Sequence, residues 1–256
     1  MPTQTPPPPI PSNPFASRYV RPGAITFRAS SATSPSIDNI VTRLREVRCG
    51  VIVGNHGTGK STLLQELAGT LNCTMPGGQW VQLTQGALPP LAGWFPRYRN
   101  RIRETISNIC TVLRVQHRVA PGGVFIIDGA EQLPPVIRWL IASRSRRAGH
   151  FCLLTSHHDI ASFETLYRTT LTAELIEQLL NDLLTSGLDA THSALHVHLK
   201  KHIATMDLTS VTNLRDLWDE LYEVVESQAK VGVLASWTPQ SRISTGTICP
   251  KKAPNR

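Results

Sequence analysis

No apolar run in the 256 residues approaches the ~20 that a membrane-spanning helix needs, so no membrane partner is expected. The N-terminus, Met1 to Pro14, has neither a basic start nor an apolar stretch, and it does not read as a secretory leader. Cysteines number five (Cys49, Cys73, Cys110, Cys152, Cys249), an odd set without disulfide or metal spacing. Several fall in apolar segments, where a free thiol acts as a small hydrophobe, and a cytoplasmic location is expected. Metal motifs are equally scarce. His192 and His196, and His198 and His202, are spaced i,i+4, yet Ser193 and Leu199 stand where H-E-x-x-H needs its glutamate. An exposed polar face is the expectation there. Acidic residues are also short, 18 against 26 Lys and Arg, for a net charge of +8. That imbalance makes DNA or RNA a candidate partner, because phosphate is attracted mainly by Lys and Arg.

What the chain does have begins with 41% hydrophobic residues, enough for a packed core. Within VIVGNHGTGKST, the residues Gly54, Asn55, His56, Gly57, Thr58, Gly59, Lys60 and Ser61 match G-x-x-x-x-G-K-[ST]. In such a loop, backbone N–H groups wrap nucleotide phosphates, the lysine reaches the β- and γ-phosphates, and the hydroxyl holds Mg²⁺. The surroundings agree. Gly50 to Val53 predicts a short buried strand, and Ser61 opens a helix with Leu63, Leu64, Leu67, Ala68 and Leu71 at helical spacing. Thr62 completes the candidate phosphate loop.

A second signal lies about 70 residues further on, where Val124, Phe125, Ile126 and Ile127 run unalternating into Asp128. This pattern predicts a parallel strand covered on both faces, ending in a carboxylate placed to orient Mg²⁺. Gly129 follows, and the next acid is Glu131. Pro134-Pro135 predicts a helix start and Gly149 its end. Phe151 to Leu154 predicts another buried strand, finishing in Thr155-Ser156-His157, and Leu166 to Leu171 a fifth strand.

The flanks divide differently. Residues 1–35 are proline-rich and expected to be extended, although FASRYVRPGAITFR (Phe15 to Arg28) interleaves aromatics with arginines. It serves either to lay Tyr19 or Val20 beside a purine or to clip across the domain surface. Ser36 predicts an N-cap for a helix with Ile37, Ile40, Val41 and Leu44 on one face. Residues 36–171 form the expected nucleotide-binding domain. Within it Trp80 to Thr84 is a strand candidate, Gln85 to Pro96 a loop, and Arg97 to Arg118 a helix with Ile102, Ile106, Ile109 and Leu113 on one face. Its arginines Arg97, Arg99, Arg101, Arg103, Arg114 and Arg118 turn away from that stripe, as a solvated face or a phosphate-contacting ridge. Residues 172–229 predict three amphipathic helices packed on the domain, capped by Thr172. Residues 230–256 read as a loose basic tail.

Taken together, Ser36 to about Gln228 resembles the AAA+ branch of P-loop ATPases, and more loosely the signalling NTPases with a D-G-x-[DE] acid motif. It is also similar to uncharacterised bacterial ATPase-domain proteins with an R-P-G segment and an N-x-R-[DE] helix. The motifs imply an α/β P-loop NTPase fold, a parallel sheet of about five strands flanked by helices, with a small C-terminal helical lid. The resemblance further implies ATP and Mg²⁺ as ligands, Thr155 or Ser156 as a γ-phosphate sensor, and Arg215, in Asn213-Leu214-Arg215-Asp216, as a lid arginine. Absence of an N-K-x-D motif favours ATP over GTP. The chain departs from the AAA+ pattern at Gly129, where a catalytic glutamate usually stands, so Glu131 is the candidate base. Arg144, Arg146, Arg147 and Arg168 are candidates to reach a second copy of the chain, a protein partner of undetermined kind. The expected activity is ATP hydrolysis driving a switch. The alternatives are a small-molecule or nucleoside kinase and a nucleotide-gated protein with little turnover.

Overall fold

The computed structural model describes residues 13–31, 34–75, 77–83, 94–187 and 193–230. Most of the proline-rich start, the greater part of the expected loop Gln85 to Pro96, Thr84, His192 and the expected tail beyond Lys230 lie outside the described residues. In chain order the elements are α1 (Ser17–Val20), α2 (Ile37–Val47), β1 (Cys49–Gly54), α3 (Lys60–Thr74), β2 (Gln79–Gln82) and α4 (Trp94–Gln116). There follow β3 (Val124–Asp128), α5 (Pro135–Ala148), β4 (Phe151–Ser156), β5 (Glu164–Thr169), α6 (Ala173–Gly187), α7 (Ser193–Thr205) and α8 (Leu214–Lys230).

The fold is α/β, a five-stranded sheet in the order β2-β3-β4-β1-β5 with every pairing parallel. Helices cover both faces, which is why β1, β3 and β4 are apolar without alternation. On one face α2 brings Ile40, Val41 and Leu44, and α3 brings Leu63, Leu64, Leu67 and Leu71. Each fully buried leucine contributes roughly 2 kcal/mol to that packing. On the other face α4 and α5 lie as one layer, with Val112, Ile141 and Ala142 buried against Phe125, Ile127 and Leu154. The buried Gln116 of α4 ties the two helices together, donating to Ile141 O and Ser145 Oγ at 3.0 Å each.

Local chemistry explains the helix ends. Ser36 Oγ accepts from Asn39 N at 3.2 Å and caps α2. Pro135 stands first in α5 and Gly149 closes it in the left-handed region, φ 73°. Thr172 Oγ1 accepts from Leu175 N at 3.2 Å at the start of α6. Helices α6, α7 and α8 build a separate apolar cluster in which Ile176, Leu180 and Leu184 of α6 meet Leu199 of α7 and Leu221 of α8. Phe15 joins that cluster, its ring stacked on Trp218 with centroids 6.0 Å apart.

Three expectations change. Of the apolar stripe on α4, Ile109 packs against the sheet cluster, whereas Ile102 and Ile106 are 42% and 54% exposed, and the helix is buried there through Val112 instead. Helical spacing sets a face but not what covers it. The second strand is Gln79–Gln82, shorter than expected, and the fifth begins at Glu164 and ends at Thr169. Among the described residues no helix is long and apolar enough to cross a membrane.

Candidate nucleotide site

Because β4 lies between β1 and β3, the C-terminal ends of these three strands converge. The glycine-rich loop leaves β1 at Gly54 and enters α3 at Lys60. Gly59 caps α3 with φ 92°, a left-handed conformation that a residue with Cβ resists. The N–H groups of the first helical turn therefore open toward the loop, as anion-binding helix starts do. Thr58 Oγ1 donates to Asn55 O at 2.9 Å and pairs with Thr169 Oγ1 at 2.6 Å, which ties the loop to β5.

Lys60 Nζ donates to Gly54 O at 2.6 Å and to Asn55 O at 2.7 Å, so the lysine folds back over its own loop. Burial holds its pKa below the usual value, and the carboxylates of Glu131 and Asp128 partly oppose that. Ser61 Oγ donates to Asp128 Oδ2 at 2.8 Å, and Thr155 Oγ1 donates to Asp128 Oδ1 at 2.7 Å. Gly129 N in turn donates to Thr155 Oγ1 at 2.8 Å. Asp128 is thus buried and oriented through both oxygens. Ser61 and Asp128 together offer two hard oxygen ligands side by side, a donor set that suits Mg²⁺. Among the described residues no cluster of three His, Cys, Asp or Glu side chains has metal-holding geometry.

Of the two sensor candidates only Thr155 lines the cavity above the loop. Ser156 is buried and accepts from His158 N at 3.2 Å. The side chain that reaches further toward the loop is His157. Its Nδ1 is 3.0 Å from Gly54 O, an acceptor only, so that contact requires the proton on Nδ1. Lys60 Nζ, 3.4 Å from the same nitrogen, is then a neighbour and not a partner. His157 Nε2 is buried without a hydrogen bond, with Glu131 Oε1 3.4 Å away. The His56 ring packs against the His157 ring at 3.9 Å between centroids. With the proton on Nδ1, a neutral His157 carries only a lone pair on the buried Nε2, which accepts and does not donate. Nothing in the sequence distinguishes this histidine from its neighbour His158. Only the crossing order of the strands brings it over the loop.

The helical module closes the other side. Leu214 N approaches Gly57 O at 3.4 Å, and Asn213 Oδ1 accepts from Arg215 N at 3.0 Å. A Cβ on Gly57 would lie 1.7 Å from Asn213 Oδ1, so the loop glycine is also what lets the module seat. Arg215, like His56, Gly57, Gly59 and Thr62, lines the cavity, which has a volume of about 610 Å³. Its apolar end is made by Val20, Ile25 and Phe27 of the N-terminal segment and by Leu171, Leu175 and Leu179. Tyr19 is not among the lining residues. Arg168, one of the arginines considered for a second copy, is held by Asp159 through Nη2 at 2.7 and 2.8 Å.

His56 carries a consequence for pH. Burial lowers its pKa first, and the nearby His157, Lys60 and Arg215 lower it further against the pull of Glu131. A bound polyphosphate adds negative charge and raises that pKa. Nucleotide affinity is therefore expected to increase as pH falls from about 7 toward 5.5, with proton uptake on binding. Calorimetry in buffers of different ionisation enthalpy measures the uptake, and His56→Asn should reduce it. Equal uptake in the variant would exclude His56 as its source.

No family model and no curated protein sequence matches the chain. Among solved structures it is similar to the Pif1 helicase from Candida albicans, at 17% identity and TM-score 0.33, over 60% of this chain and 44% of that one. It is also similar to a signal transduction ATPase with numerous domains, a protein with a tetratricopeptide repeat sensor from Pyrococcus horikoshii. That match has 14% identity and TM-score 0.31, over 79% of this chain and 35% of that one. The chain thus spans less than half the length of either structure. At these scores neither likeness carries an argument about function.

Proposed function

We propose that the chain is an AAA+-like P-loop NTPase that binds ATP with Mg²⁺ and hydrolyses it to drive a switch. The observation that carries this reading is the Ser61–Asp128 hydrogen bond at 2.8 Å directly beside the buried Lys60, under one cavity. In this reading the loop from Gly54 to Thr62 cradles the phosphates, and Lys60 exchanges its loop carbonyls for β- and γ-phosphate oxygens. Ser61 and Asp128 hold Mg²⁺, which supplies charge neutralisation on the phosphates when bound. Glu131 takes the proton of the attacking water. Thr155 fixes the Asp128 carboxylate, and Arg215 reports the nucleotide to the helical module.

The division into a nucleotide domain over residues 36–171 and a lid over residues 172–229 belongs to the same proposal. The separate apolar cluster of α6, α7 and α8, touching the loop through Asn213, supports it. DNA or RNA is the partner class we attach to it, on the charge excess. One observation favours the low-turnover alternative: Glu131 Oε1 lies 3.4 Å from His157 Nε2, and a doubly protonated His157 would pair with the carboxylate and weaken it as a base.

Titration of a fluorescent ATP analogue with and without EDTA, followed by phosphate release, tests the reading. Binding that tightens with Mg²⁺ and a measurable phosphate burst are expected. Asp128→Asn should cut turnover at least 10-fold, since the aspartate is the only carboxylate bonded to Ser61 among the described residues. Absence of nucleotide binding at millimolar concentration would remove the proposal. Binding without phosphate release would select the nucleotide-gated alternative.

A further inference from the structure

Helix α4 carries five arginines against one glutamate, and α5 carries four arginines and no acid. By contrast α6 has three acids and no base. The basic charge is therefore concentrated on the helical layer over one face of the sheet. Helices α4 and α5 pack on the same sheet face and lie side by side, joined through Gln116. On α4 the exposed side chains include Arg99, Arg103 and Arg114, with Ile102 and Ile106 exposed beside them. On α5 they include Val136 at 70% and Trp139 at 57% exposure, with Arg147 below them. Arg99, Arg103, Arg114 and Arg147 take part in no ion pair among the described residues.

We propose that the outer face of α4 and α5 binds a single-stranded nucleic acid, with the arginines on its phosphates and Trp139 stacked on a base. This deepens the nucleic-acid partnership proposed above and rests on it. The surface combines unpaired cations with exposed apolar and aromatic side chains, so its occupant must be a polyanion that also presents apolar faces. An unpaired strand does so, because its bases are free to stack, whereas a duplex hides them. A second copy of the same face is disfavoured by like charge. The acidic α6 and α8 of a second copy supply charge, but their large apolar residues are buried in their own cluster. They leave Ile102, Ile106, Val136 and Trp139 uncovered.

The test is anisotropy of a labelled thirty-base oligothymidine with the full chain, without nucleotide, alongside a duplex and polyglutamate. With about four arginine–phosphate contacts, affinity should fall about 50-fold between 50 and 200 mM salt. Trp139→Ala should weaken binding about 10-fold, and Arg99→Glu with Arg103→Glu should weaken it more. All three side chains are exposed, so the variants are expected to melt with the wild type. Unchanged binding in Trp139→Ala, a duplex bound as tightly as the strand, or equal competition by polyglutamate would overturn the proposal. The polyglutamate result would assign the face to an acidic protein. Lys60→Ala should keep strand binding, so loss of nucleotide binding and loss of strand binding are separate outcomes.

Discussion

Lys60→Met is expected to weaken Mg·ATP binding about 100-fold while leaving thermal stability unchanged or slightly higher. The lysine is 9% exposed and its ammonium donates to two loop carbonyls, Gly54 O and Asn55 O. Burial lowers its pKa, so the folded state disfavours the charged form relative to the unfolded chain. The charge therefore opposes folding across the range below the usual lysine pKa, and that cost disappears as pH rises through it. Methionine keeps most of the buried stem and removes the charge. In the complex the sign reverses. Two or more charge-assisted hydrogen bonds to phosphate are lost, each worth about 1.5–3 kcal/mol, and about 2.7 kcal/mol corresponds to 100-fold. Lys60→Arg should not rescue binding, because a rigid planar guanidinium does not fit a space shaped by Gly54 and Asn55 carbonyls 2.6 and 2.7 Å from a single nitrogen. Titration of each variant with a fluorescent ATP analogue, paired with melting curves, checks both halves. Wild-type affinity in Lys60→Met would remove the lysine from the phosphate site.

How far the site was legible follows from how local its determinants are. The strand, loop and helix around Gly54 to Ser61 are written in consecutive residues, and their geometry needs little from elsewhere. The buried β3 was equally clear, since an apolar run between Gly123 and Asp128 has few other readings. Ambiguity began where two distant segments meet. Thr155 and Ser156 are neighbours of similar chemistry, and only the alternation of β4 decides that Thr155 meets Asp128. His157 gains its position from β4 lying between β1 and β3, and Asn213 from the docking of α8 onto Gly57. Neither relation leaves a periodic mark. The α4 stripe is ambiguous for a related reason: Ile102 and Ile109 obey the same spacing, yet only Ile109 packs against the sheet cluster. Phe15 likewise reads as part of a terminal segment until Trp218 stacks on it.

Glu131→Gln is expected to lower phosphate release by a factor of about 100 to 1,000 while ATP still binds, within the usual worth of a positioned general base. Glutamine keeps the shape and loses the basicity, so binding and chemistry separate. Position 129 itself has little room for a side chain. Gly129 sits at φ 89°, and a Cβ there would come within 2.8 Å of Leu83 O, a backbone atom that cannot swing away. A side chain at 129 is therefore strained twice, by backbone conformation and by contact. The acid instead stands in the 3-10 turn Ala130–Gln132 that follows, where Glu131 lines the cavity opposite Lys60. It follows that Gly129→Glu should not restore activity to Glu131→Gln, and should destabilise the fold. His157→Ala supplies the complementary measurement. With the ring gone, Glu131 loses a neighbour 3.4 Å away, and turnover should shift while Lys60-dependent ATP binding persists. Wild-type turnover in Glu131→Gln would rule out this carboxylate as the base, and rescue by Gly129→Glu would show that position 129 was open to an acid after all.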